Sequence, residues 1–587
     1  MDTNKKPIIN CHTHIFIGEN IPPFIAKTFF IWPLYKIVSI PFVLSSCRWW
    51  FLSAKSPRQW KQMLWYKNLQ RAFVNYRSFL RRHDVVDILV KLLNLVIVYH
   101  ALIYFTILVF CIDLEVEEQG NNIVSRAIKW LADNKLFYYN APAFLKVITI
   151  LFTCFFIEYA RKLIFFIAKK SMGFIKILPE KKTVEFILRY VNIGRFAYYK
   201  KQSDIFNKLK AQYPEGTGFV ILPMDMEYMD AGILKPDGRY EKQMQQLAEI
   251  KSQENRKNIF FPFVFVDPRR QMAGDKIFLD WKDAGNGNVE LNDCFIKEYI
   301  EDKNFSGFKI YPALGYYPFD EKLLPLWKYA ADRQIPILTH AIRGNIYYRG
   351  NKKTEWNYHP IFKEAAGNGN TRKLLLPQIK NIDFINNFTH PLNYLCLVEE
   401  RLLRIFVSTA GDNVKQLFGY TDSSTPLKYN LSHLKLCFGH FGGDDEWPKF
   451  FEHDRDNFTS QVITKATGID FVHANDSDVD IMTRLERIWK DVDWYSIICS
   501  MMMKYSNLYA DISYILHKDE ILPLLKSTLQ NIHLNKRVLY GTDFYVVRNH
   551  KSEKELLADM MANLSEEDFD MIARENPVTF LNLMDSL

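Results

Sequence analysis

No CxxC pair occurs among the eight cysteines, which stand singly at 11, 47, 111, 154, 294, 396, 437 and 499. Isolated thiols exclude a disulfide framework and a cysteine-type zinc site, and they suit a reducing compartment. Glycine and proline are sparse, 24 of each in 587 residues, while 48% of the chain is hydrophobic and 15% aromatic. Widespread disorder is thereby excluded. No internal repeat or low-complexity tract stands out. The opening MDTNKKPIIN is polar and lacks the apolar stretch of a cleavable signal peptide.

Charge is present but unevenly placed. Between Ile21 and Lys201 there are 27 Lys and Arg against 10 Asp and Glu, a surplus of 17. The whole chain carries only +9, so the remainder is net −8, a basic segment grafted onto an acidic body. Basic residues interleaved with aromatics can signal nucleic acid. Here they flank long apolar runs, which points to an anionic membrane surface, with no nucleic-acid partner expected.

Leu92 to Ile112 is a 21-residue run without a permanent charge, long enough to cross a bilayer core. A second run, Ala141 to Ala160, carries Lys146 and Glu158 near its ends, where long side chains snorkel. Arg77, Arg81 and Arg82 precede the first run, and Arg161, Lys162, Lys169 and Lys170 follow the second. The acidic Asp113, Glu115, Glu117 and Glu118 lie between them. This pattern predicts a transmembrane hairpin with both outer ends cytoplasmic and the 113–140 connector outside. Pro22 to Leu52 is apolar but broken by Lys27, Pro33, Lys36 and Pro41, and reads as interfacial or re-entrant. Phe165 to Tyr199 is expected on the same surface.

Outside this segment, short apolar runs alternate with helix-period stretches, as in βα units. Eight strands are predicted: Ile8–His14, Gly218–Met224, Ile259–Val266, Gly307–Tyr311, Ile335–His340, Leu434–His440, Asn507–Ile512 and Arg537–Asp543. Eight parallel strands make a TIM barrel. The expected organisation is a first strand in residues 1–20, a membrane-embedded helical insertion in 21–200, and the remaining barrel in 201–587.

His12 and His14 stand two apart on a strand, so both imidazoles share a face and form half of a metal site. His340, His440 and Asp543 each close an apolar strand, where barrel enzymes place their chemistry. Lys309, on the fourth strand, is a sixth candidate.

Taken together, CHTHIF (11–16), YPEGTGFVILPMDMEYM (213–229), FFPFVFVDPRR (260–270), GFKIYPALGYYP (307–318), ILTHA (337–341), LKLCFGHFGG (434–443), NLYADIS (507–513), VLYGTDF (538–544) and ENPVTFL (575–581) resemble the amidohydrolase superfamily. They are most similar to its amidohydrolase-related branch, which contains the aminocarboxymuconate-semialdehyde decarboxylase-like enzymes. The resemblance covers residues 1–20 and roughly 190–585. It implies one divalent metal ion, commonly zinc, held by His12, His14, His340 and Asp543. It gives His440 a catalytic or second-metal role, and Lys309 either substrate contact or, in a binuclear arrangement, the bridge between two metals. Asp543 would also serve as proton acceptor for a metal-activated water attacking a C–N or C–O bond. Lys309 or Arg343 would pair with a substrate carboxylate or phosphate.

The expected activity is thus that of a membrane-anchored metal-dependent hydrolase. The alternatives are a non-hydrolytic decarboxylase and a catalytically idle, membrane-tethered sensor or binding module. The insertion leaves after the first strand, on the face where barrel active sites lie. Membrane lipids and an amphiphilic substrate are therefore expected partners, beside the plainer case of a tethered enzyme with a soluble small-molecule substrate.

Overall fold

A computed structural model describes residues 5–23, 46, 49, 63–110, 123–156 and 199–583, except 345, 368–369, 453–455 and 548–549. Chain contacts divide it into two units, Met1–Leu52 with Arg189–Leu587, and Ser53–Leu188.

All eight predicted strands are present in the first unit, shorter at their ends. They are β1 (Ile9–Thr13), β2 (Gly218–Ile221), β3 (Phe260–Phe265), β4 (Gly307–Lys309), β5 (Ile337–His340), β6 (Leu436–Gly439), β7 (Leu508–Asp511) and β8 (Val538–Leu539). Each neighbour pair is parallel and the spatial order follows the chain. The ring closes where β8 and the turn after it meet β1. Cys11 N–H donates to Tyr540 O (2.8 Å), Asp543 N–H to His12 O (2.9 Å) and His14 N–H to Phe544 O (2.6 Å). The strands are buried on both faces, which is why they read as continuous apolar runs rather than alternating ones.

The barrel interior is filled by Ile9, Cys11, Val220, Leu222, Phe263, Leu338, Cys437, Tyr509 and Leu539, a cluster separate from the larger core under the helices. The two-residue period then places His340 above Leu338 and Asp511 above Tyr509 on the inner face. β1 needs a further device. Ile9 and Cys11 belong to the interior cluster, so strict alternation would turn His12 away from it. The register between β1 and β2 slips between Asn10 and Thr13, and this bulge brings His12 and His14 to the mouth. Two glycines clear the space His12 occupies. A Cβ on Gly439 would lie 3.0 Å from His12 Cε1 and 2.5 Å from Thr339 O, and one on Gly541 would lie 2.9 Å from His12 Cβ.

The long connections follow β5 and β6. The first carries an antiparallel hairpin (Tyr358–Gly367 with Asn370–Leu375) and four helices between Asn381 and Phe418. The second carries helices Phe458–Thr464, Asp478–Asp491 and Trp494–Lys504. Ser477 and Asp493 cap the last two through N–H groups of their first turns.

In the second unit the described helices are α1 (Leu64–Arg82), α2 (Asp84–Phe110), α3 (Ile123–Asp133) and α4 (Ala143–Phe156). Among the described residues one helix is long and apolar enough to cross a membrane, over Asp84–Leu108. It contains most of the run expected at 92–112 but starts eight residues earlier, because Asp84, Asp87 and Lys91 continue the helix; Asp87 and Lys91 pair at 2.6 Å. It is not a core helix: its aliphatic side chains are largely exposed, Leu89 and Leu93 at 60% each. The second expected span is not established. Its helix begins after Pro142 and has 14 described residues, too few to cross a bilayer, and 157–160 lie outside the described residues. Most of the expected interfacial stretch 22–52, the acidic part of the connector and nearly all of 165–199 also lie outside them.

Candidate metal centre

Three side chains converge at the mouth of the barrel. Asp543 Oδ1 lies 3.3 Å from His14 Nε2 and 3.8 Å from His12 Nε2. The other nitrogen of each ring is already tied. His14 Nδ1 donates to Leu222 O at 2.8 Å, and His12 Nδ1 lies 2.8 Å from Asp511 Oδ2. A backbone carbonyl only accepts, so the His14 proton sits on Nδ1 and its Nε2 offers a lone pair. His12 is fully buried, and its Nε2 has no hydrogen-bond partner among the described residues. Leaving a buried polar atom unmet costs about 1–3 kcal/mol. Two imidazole nitrogens and a carboxylate oxygen around that orphaned atom are donors that suit a divalent cation.

Burial also sets the charge states. It holds the His12 imidazole well below its ordinary range, helped by Lys309 and His14, which keeps it in the neutral form that ligates. The same desolvation holds His340 and His440 low. It raises the Asp543 carboxyl, against the pull of His14 and Lys309. His12, His440 and Asp511 form a second group whose ligand atoms also lie within 4.8 Å of one another. There, however, His12 Nδ1 and the Asp511 carboxylate already satisfy one another, so the group with Asp543 is the better cation site.

Asp543 is held from behind. Asn10 on β1 donates to Thr542 Oγ1 (2.8 Å) and accepts from Thr542 N–H (3.2 Å), and Thr542 Oγ1 donates to buried Glu553 (2.8 Å). The backbone of Asp543 is left-handed, φ 61°, as is that of His440, φ 68°. Such conformations cost of order 1–3 kcal/mol and concentrate at functional sites.

The remaining expected residues are placed as follows. His440 and His340 bond to each other, Nε2 to Nδ1 at 3.1 Å, and His340 Nε2 lies 3.1 Å from the Tyr311 hydroxyl. His340 therefore stands beside the His12–His14–Asp543 group rather than within it. Lys309 is buried with no hydrogen-bond partner on Nζ among the described residues. Burial pushes it down to about 8, against the pull of Asp511 and Asp543. Arg343 is engaged elsewhere, 3.0 Å from Glu446 and 2.9 Å from Asn386.

Asp511, Ser513 and Tyr311 were not among the expected site residues. Asp511 carries the same signal as Asp543, an acid closing an apolar strand. Tyr311 stands two residues past Lys309 on the same run.

No family model and no curated protein matches the chain. A solved dihydroxybenzoic acid decarboxylase from Polaromonas sp. JS666, with bound manganese and the inhibitor 2-nitroresorcinol, aligns over 71% of this chain and 92% of its own, at 14% identity and a TM-score of 0.32. An amidohydrolase from Mycobacterium avium subsp. paratuberculosis K-10 aligns over 65% of this chain and 75% of its own, at 13% identity and a TM-score of 0.28. At these scores neither bears on what this chain does. What the chain itself presents is an eight-stranded parallel barrel whose mouth gathers His12, His14 and Asp543, a cluster that could hold a divalent ion.

Proposed function

We propose that this protein is a membrane-associated, metal-dependent hydrolase that cleaves a C–N or C–O bond. The observation that carries the reading is the orphaned Nε2 of buried His12, set beside His14 Nε2 and Asp543. His12, His14 and Asp543 would hold a divalent ion, zinc being the expected one for such donors, and the ion would supply Lewis acidity, for water ionisation near neutral pH and for a carbonyl. The chain's own residues supply the rest. Asp543 takes the proton of the attacking water on its carboxylate. That proton goes on to the leaving group, relayed by the Nε2 lone pair of neutral, buried His440. Lys309 offers a buried cation to a substrate carboxylate.

That unpartnered cation also favours a second reading, decarboxylation, in which the C–C bond to the carboxylate breaks, CO2 leaves and a proton is delivered to carbon. A screen of amides, esters and aromatic carboxylic acids separates the two by product: amine or alcohol from hydrolysis, CO2 from decarboxylation.

Lys309→Ala is expected to leave the bound metal unchanged from the wild type, near one equivalent in both. For a carboxylate-bearing substrate it should raise KM about 10–100-fold, the value of one lost charge-assisted hydrogen bond. Elemental analysis checks the first point. A halved metal content would replace the one-metal reading with a two-metal one bridged by Lys309.

The membrane part of the reading rests on α2 and on α1. In α1, Trp65, Leu69, Phe73, Tyr76 and Phe79 line one exposed face at helical spacing. Lys67, Arg71, Arg81 and Arg82 fall on the other, and the helix has no acid. Such a helix suits an anionic lipid surface, at about 1 kcal/mol per cation. β1 and β2 pair directly although the insertion separates them, so the chain returns to the side it left. An even number of crossings follows, the second assigned to 141–160, with the barrel on the cytoplasmic side. A thiol label on Gln119→Cys is expected to react from the outer face of sealed vesicles; reaction only from the barrel side would refute the hairpin.

A further inference from the structure

We propose that Asp511 is a positioning residue that fixes which nitrogen of His12, His440 and His340 carries the proton, leaving each Nε2 as the lone-pair atom. Asp511 is fully buried at the end of β7. Its Oδ1 accepts the backbone N–H groups of His440 and Ser513, each at 3.1 Å, and also the Ser513 hydroxyl. Its Oδ2 faces His12 Nδ1 at 2.8 Å, with Cys437 Sγ at 3.8 Å. Donors from three strands thus converge on one carboxylate.

The consequences follow from donor and acceptor rules alone. A carboxylate only accepts, so the His12 proton sits on Nδ1, which also lies 3.1 Å from Ser513 Oγ. The Ser513 hydrogen is committed to Asp511. Ser513 Oγ and the Ser513 carbonyl can then only accept from His440 Nδ1, at 2.9 and 3.3 Å. His440 Nε2 is therefore an acceptor, and the proton in its 3.1 Å bond to His340 belongs to His340 Nδ1. His340 Nε2 accepts in turn from the Tyr311 hydroxyl. His14 reaches the same form separately, through Leu222 O.

All four imidazoles are Nδ1–H, whereas histidine in water favours Nε2–H. One carboxylate sets three of them, and in doing so joins a ligand imidazole on β1 to the candidate acid–base imidazole after β6. The link to metal binding rests on the proposed function; the tautomers themselves do not.

Asparagine at 511 makes a selective prediction. The Oδ1 position meets three donors, so the amide oxygen stays there and the amide NH2 turns to His12 Nδ1. His12 must then accept at Nδ1 and carry its proton on Nε2, where it can no longer bind a cation. The Ser513 branch keeps its direction.

The test is long-range 15N–1H correlation on the metal-free full chain labelled with 15N-histidine, the four rings assigned by single substitutions. The wild type is expected to show Nδ1–H on His12, His14, His340 and His440. In Asp511→Asn, His12 alone should switch to Nε2–H, and Zn2+ titration should show an affinity about 10–100-fold weaker. A wild-type His12 protonated on Nε2 would overturn the assignment, as would an Asp511→Asn protein in which His12 keeps Nδ1–H. The wild-type spectrum needs no substitution at 511, so a variant that fails to fold does not shelter the proposal. A wild-type chain that takes up no Zn2+ but shows four Nδ1–H rings would refute the metal reading and support this one.

Discussion

His12→Ala combined with His14→Ala is expected to leave the purified protein with less than about a tenth of an equivalent of divalent ion, where the wild type is expected to hold about one. The pair supplies two of the three donor atoms at the site. Losing a single outer partner of a metal ligand already weakens binding about 10–100-fold, and losing two ligands outright costs more. The barrel should survive the change. The interior cluster that fills it lies below the histidines, and closure runs through backbone groups of His12, His14 and Asp543 that alanine retains. Circular dichroism should therefore show native secondary structure at ambient temperature while elemental analysis shows the metal gone. Full metal retention in the double variant would exclude this site.

Asp543→Asn is expected to lower kcat about 100–10,000-fold, the usual worth of a positioned general base, with KM changed far less. Asparagine keeps an oxygen near His14 and His12 but cannot take a proton from water. Backbone geometry does not confound the comparison, since Asn tolerates the left-handed conformation found at 543 as well as Asp does. Metal content should fall only in part. If kcat were unchanged with metal bound, Asp543 would be a ligand alone and the proton acceptor would lie elsewhere, with His440 the next candidate.

The barrel was legible because its strands are buried on both faces and so stand out as apolar runs, and their order follows the chain. At the candidate site, strand ends and HxH spacing point to His12, His14 and Asp543, which meet, and equally to His340, which does not join them. HxH spacing shows that His12 and His14 share a face, but not that a bulge between Asn10 and Thr13 is needed to make it the inner one. Nor can spacing say that His340 meets His440 and Tyr311 instead of Asp543, because that depends on side-chain reach across the barrel mouth. Asp511 ends its strand as Asp543 follows β8, but an acid at a strand end does not show what it will accept. Arg343 stands three residues past His340, close enough in sequence to suggest substrate contact, but Glu446, more than a hundred residues later, claims its charge. In the insertion, hydropathy locates the apolar run inside α2 but not the start of the helix, because isolated charges such as Asp84 and Lys91 interrupt an apolar run without ending a helix.

The central claim is that one divalent cation sits among His12, His14 and Asp543. Crystals of the wild-type protein, purified without added metal and with its content measured by mass spectrometry, test it through anomalous scattering. About one equivalent, with a single anomalous peak within bonding distance of His12 Nε2, His14 Nε2 and an Asp543 carboxylate oxygen, is the predicted result. A protein that carries no metal and takes none up, or a peak among His440, Asp511 and His12 Nδ1 instead, would contradict it.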